Sequence, residues 1–114
     1  MDGDRNPQAF ARWSYGADRL PGSLDELAGP VTGTVELPLH LAWSGLRAFD
    51  LGNTKLLLGM YRIVLNNGLR DDFVAYLDGD LLVAHWPILR KMLGRGVRTV
   101  WEDTFAELRE AGSA

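Results

Sequence analysis

Residues 53–68 read NTKLLLGMYRIVLNNG, and this stretch decides the fold. Asn53 or Thr54 is a capping residue, Asn67-Gly68 is a stop, and the residues between carry helical spacing. At 100° per residue, Leu57 and Val64 lie near the middle of an apolar arc. Leu56, Met60 and Ile63 extend it to one side, and Leu58, Tyr61 and Leu65 to the other. The arc spans about 220°, whereas a surface helix needs an apolar stripe of only somewhat over ~100°. Either this is a central helix wrapped by the remaining elements, or one edge is left for a partner. We expect the Leu58/Leu65 edge to be exposed in the free domain and covered in a complex.

Downstream, the pattern stays helical. The spacing predicts helices over 71–77, ended by Asp78-Gly79, and over 80–93, closed by Gly94 and Gly96. Pro87 either kinks the latter or restarts it. A fourth is predicted over 97–111, with Val97, Val100, Trp101, Phe105 and Leu108 on one face. Upstream, Val35, Leu37, Leu39 and Leu41 alternate with Glu36, Pro38 and His40, the signature of a half-buried strand. Trp43 continues it, Ser44-Gly45 is a turn dipeptide, and Leu46–Leu51 is the return strand. Pro38 cannot donate to a ladder, which places the hairpin at an edge or alone.

Before residue 35, glycine and proline are too dense for long elements. One short helix is expected where Ser23 and Glu26 form a capping box before Gly29-Pro30. Phe10, Trp13 and Tyr15 are aromatic without clear period and pack either on the domain or on a partner. The expected organisation is therefore an extended N-terminal arm over 1–34, poorly ordered over its first twenty residues without a partner. A globular domain follows over 35–111, and a tail over 112–114. The class is mainly α within α+β: a single small domain with a short β-hairpin followed by about four packed helices.

The chain has 114 residues, 46% apolar, enough for one modest core. It contains no cysteine, which excludes a disulfide scaffold, a thiolate metal site and a thiol nucleophile. A net charge of −3 argues against a nucleic-acid coat but permits a local basic patch. The N-terminus is acidic and polar, unlike a secretory signal, and no apolar run reaches the ~20 residues of a membrane helix. A cytoplasmic location is the default.

Candidate chemistry is sparse. Asp71-Asp72 and Glu102-Asp103 are neighbours that point about 100° apart on a helix and do not converge on one ion. Asp71 and Asp78 occupy cap positions, and Asp78-Gly79-Asp80 lacks the further ligands of a calcium loop. His40 and His85 have no nucleophile motif beside them and read as structural. Arg90, Lys91, Arg95 and Arg98 place four positive charges in nine residues. They suit contact with phosphate or an acidic partner, or form a cationic helix end in which Glu102 pairs with Arg98. Trp43, Trp86 and Trp101 read as core, although tryptophan is also enriched at binding hot spots.

A resemblance adds to this. Residues 37–45 (LPLHLAWSG), Phe49-Asp50-Leu51, Tyr61–Leu65, Tyr76-Leu77, Trp86–Leu89 and Trp101–Leu108 form a distinctive set. Over residues 35–110 the chain resembles small actinobacterial proteins encoded beside AbiEii-like nucleotidyltransferases, the Men toxin–antitoxin pairs of mycobacteria. Among them it looks like the short MenA-type antitoxin. The resemblance implies a type II antitoxin that binds a cognate nucleotidyltransferase toxin in a hetero-oligomer. It would block the addition of nucleotides to tRNA 3′ ends. The larger AbiEi-type antitoxins carry a winged-helix DNA-binding part, and no helix of that kind is legible here. We therefore expect no catalytic activity, cofactor or metal, no membrane association, and partner contacts through Leu58, Tyr61, Leu65, Trp86 and Trp101. The alternative is a small nucleic-acid-binding regulator using Arg90, Lys91, Arg95 and Arg98.

Overall fold

The computed structural model describes residues 16–42 and 45–113. The expected aromatic arm at Phe10, Trp13 and Tyr15, the order of residues 1–15, and Trp43-Ser44 lie outside the described residues. Two 3-10 turns, Ala17–Arg19 and Leu24–Glu26, precede strand β1 (Thr34–Glu36) and strand β2 (Ala48–Asp50). Helices α1 (Thr54–Asn67), α2 (Arg70–Tyr76), α3 (Gly79–Leu89), α4 (Arg95–Thr104) and α5 (Ala106–Ser113) follow, with a 3-10 turn at Arg90–Met92. The architecture is mostly helical with one antiparallel hairpin, as the change of period at residue 51 predicts.

The hairpin pairs Val35 with Phe49, and both side chains enter the core. Hydrogen bonds from Leu37 N–H to Arg47 C=O and from Leu51 N–H to Gly33 C=O extend the ladder at each end. The predicted strand is longer than the real one. Pro38 ends the pairing, and its carbonyl accepts from the N–H groups of both Leu41 and Ala42, closing a turn. Leu39 is thereby swung out of the alternating pattern and is 61% exposed. Strand β1 ends at Glu36 and β2 begins at Ala48; the expected turn at Ser44-Gly45 falls partly outside the described residues.

Helix α1 begins at Asn53, whose side-chain oxygen accepts from Leu56 N–H at 3.2 Å. Leu57, Met60, Tyr61, Val64 and Leu65 are all buried, and β2, α2 and α3 pack around them. Its wide apolar arc is that of a central helix. Asp78 caps α3 through Leu81 N–H, as its position predicts. The cap of helix α2 lies two residues before the expected Asp71: Leu69 is the cap residue and its N–H donates back to the Asp72 carboxylate. Helix α3 carries through Pro87 and tightens into the Arg90–Met92 turn.

The expected fourth helix is two. Phe105 is extended (φ −120°, ψ 109°) and breaks it. The break lets Trp101, Phe105 and Leu108 all enter the core, with Trp101 edge-on to Phe73 at 5.0 Å and tilted against Phe105 at 5.5 Å. Helix α5 then runs alongside α3 in the same direction. Glu107 borders a cavity with Asp80 and Ala84, and Gly112 lies against Arg90.

The core does not begin at residue 35. Leu20, Leu24 and Leu27 belong to the same buried cluster as the helices. The segment read as an arm is sewn to the α2–α3 junction: Ala28 N–H donates to Val74 C=O, and Gly29 N–H to Leu77 C=O. Ala28 bridges Asp78. Gly29 lies so close to α2 that a Cβ there would stand 2.4 Å from the Tyr76 carbonyl carbon. Helix α5 likewise takes in Gly112 and Ser113 of the expected tail.

Gly29→Ala must push backbone against backbone, and we expect a large fall in melting temperature by circular dichroism. Gly59→Ala is the control. A Cβ at Gly59 meets nothing within 4 Å, and the helix-propensity gain is about 0.5–1 kcal/mol. The pair should move stability in opposite directions.

Candidate functional site

Four of the five expected partner contacts are not available. Tyr61, Leu65, Trp86 and Trp101 are fully buried, and Leu58 is half-buried against the core. The Leu58/Leu65 edge is covered by the protein itself, because α1 occupies the centre of the fold. Two of the aromatic residues carry buried polar bonds instead. The Tyr61 hydroxyl accepts from Asp78 N–H at 2.9 Å. Burial pushes that phenol up to about 12. Trp86 Nε1–H donates to Glu102 Oε2 at 2.8 Å.

Glu102 organises the basic cluster. Its Oε2 also accepts from Arg90 Nε–H at 2.6 Å. The hydrogen bond from Arg90 holds the Glu102 carboxyl below the usual range against the opposing effect of burial, with Trp86 and the nearby charge of Arg98 assisting. Gly112 closes over the group; a Cβ there would lie 2.8 Å from both Arg90 Nε and Glu102 Oε2. Arg109 donates to the Glu102 carbonyl. The four cations therefore do not present one phosphate-binding face. Arg90 is committed to Glu102, Arg98 is half-buried nearby, and Lys91 and Arg95 point to solvent. Helical spacing sets Glu102 beside Arg98; the fold instead brings Arg90, twelve residues away, and Trp86, sixteen residues away, to the same Glu102 oxygen.

The exposed surface carries features of its own. His40 Nε2 lies 2.9 Å from Asp72 Oδ1, which pins the Pro38–Leu41 turn to the start of α2. Leu39, beside His40, and Leu69, bonded to the same Asp72 carboxylate through its N–H, are 61% and 59% exposed. Ile88 on α3 is 57% exposed, and Met92 follows it. None of these four was singled out from the sequence. Pro38 was the signal for Leu39, since a strand that ends there cannot keep Leu39 inward. An open cavity of about 360 Å³ is lined by Leu24, Asp25, Gly79, Asp80, Val83, Ala84 and Glu107. Among the described residues, no group of three or more His, Asp or Glu side chains is arranged to hold a metal ion. Among them also, no helix is long and apolar enough to cross a membrane.

Comparison of the chain with protein-family models, curated proteins and solved structures finds no match.

Leu65→Glu should unfold the domain, since it buries an unpaired carboxylate among apolar side chains; loss of the cooperative thermal transition is the readout. Tyr61 gives an alkaline signature. The unfolded chain releases a phenol proton near ~10, whereas the folded protein holds this one to about 12. Stability should therefore decline as pH rises between those values. Tyr61→Phe should remove that component of the slope in urea titrations, while leaving the Asp78 N–H unsatisfied at a cost of about 1–3 kcal/mol.

Proposed function

We propose that the chain is an antitoxin that binds and neutralises a cognate nucleotidyltransferase toxin acting on tRNA 3′ ends, in the cytoplasm and as a hetero-oligomer. The residue strings that resemble the MenA-type antitoxins support the reading. Most of their apolar members are core: Leu37, Leu41, Phe49, Tyr61, Leu65, Leu77, Trp86, Trp101 and Leu108. Those residues specify a shape and are not free to touch a partner. The observation that carries the proposal is the exposed remainder. Leu39 lies inside the strings yet outside the core, and the His40–Asp72 bond holds it at the same end of the molecule as Leu69. Exposed aliphatic side chains held on fixed backbone are what a protein partner buries. The role requires no reaction by this chain, only coverage of the toxin.

The test is co-expression with the neighbour-encoded toxin, reading growth and co-purification. The wild-type chain should restore growth and co-purify with the toxin. Leu39→Glu/Leu69→Glu, with an unchanged circular dichroism spectrum, should lose both. Retained neutralisation by that variant would move the interface elsewhere, and absence of any complex with the wild-type chain would overturn the proposal.

A further inference from the structure

Helix α3 is apolar on nearly all sides, which a small domain rarely needs. Leu82, Trp86 and Leu89 face the core. Asp80, Ala84, Ile88, Lys91 and Met92 are exposed and recur at three- and four-residue spacing, one stripe along the outside. Its chemistry changes from end to end. At the start, Asp80 joins Asp25 and Glu107 around the cavity, whose floor is Leu24, Val83 and Ala84. In the middle lie Ala84 and Ile88. At the end lie Lys91 and Met92, with Arg62 alongside, its Nε–H donating to the Met92 carbonyl at 3.3 Å. Arg90 is turned inward to Glu102 and adds nothing to this face. One end is thus anionic with an apolar hollow; the other is cationic with a projecting thioether.

Such a stripe is complementary to itself in reverse. We propose that α3 mediates a two-fold homodimer in which the helices of two copies pack antiparallel. The register follows from the sequence spacing. A two-fold axis that sets Ala84 against Ile88 of a second copy sets Asp80 against Met92 and its neighbour Lys91. The small Ala84 receives the large Ile88, and the hollow receives Met92. The Lys91 and Arg62 cations meet the Asp25, Asp80 and Glu107 carboxylates, and every contact occurs twice, as an isologous interface demands. The distance from Asp80 to Lys91 along the helix is about 16 Å at 1.5 Å per residue. Charge pairs at that separation are beyond the screening length of about 8 Å at physiological ionic strength, so each end acts independently. A parallel arrangement would set like charges together at both ends and is disfavoured.

The experiment is sedimentation velocity on the full chain across a concentration series, at low and high salt, independent of any toxin. The wild-type chain should be a dimer whose dissociation constant rises with salt. Ile88→Glu, at an exposed position that leaves the core intact, should be monomeric, and Ala84→Glu likewise. Asp80→Lys and Lys91→Glu should each weaken association about tenfold or more by opposing like charges. The double variant Asp80→Lys/Lys91→Glu exchanges the two ends and should recover most of the wild-type affinity. A wild-type chain that stays monomeric throughout the series overturns the proposal. So does a dimer that survives Ile88→Glu, or a double variant no tighter than its parents while all three keep the wild-type circular dichroism spectrum.

Discussion

The fold depends on one close approach. At Gly29 the upstream chain lies against the backbone of Tyr76 and Leu77, nearer than any side chain allows, and its N–H satisfies Leu77 C=O. One residue away, Ala28 serves Val74 and bridges Asp78. Asp78 in turn caps α3 and donates its own N–H to Tyr61. The four elements that meet here are the Leu24–Gly29 segment, α1, α2 and α3. Their backbone groups are otherwise orphans of helix ends and would be costly to bury unpaired. The junction therefore fixes the angle between α2 and α3, and with it the outward face that α3 presents.

Much of this was legible in the residues. The alternation before residue 51 and the helical period after it reported the architecture, because each period is a direct consequence of backbone geometry. Asn53, Ser23 and Asp78 announced their caps, since a short polar side chain before an apolar run has few other uses. What local pattern does not encode is breaks that serve packing. Val97–Ala111 has unbroken helical spacing, and the extended Phe105 is imposed by the need to bring Trp101 and Leu108 into one core. Leu20 and Leu27 have no period at all, so their burial is visible only once the helices they touch are in place.

The surface was less legible than the core, for a physical reason. An apolar arc on a helix states that something must cover it without stating what. On α1 the cover is the protein's own β2, α2 and α3. Among the described residues the outward part of α3 has no such cover, although α3 has the less organised pattern of the two. Charges behave alike. Helical spacing sets Arg98 beside Glu102, yet Arg90, twelve residues away, makes the ion pair, because the fold returns Glu102 to the end of α3.

The same junction bears on how the protein is made. Ala28 leaves the ribosome about fifty residues before its partner Asp78. At roughly 5–20 residues per second that is a delay of about 3–10 s. Through this interval Leu20, Leu24 and Leu27 have no core to enter, and nascent-chain binding factors that select short aliphatic clusters have their best opportunity there. The leucines that complete the folded interior are, during synthesis, an exposed adhesive segment.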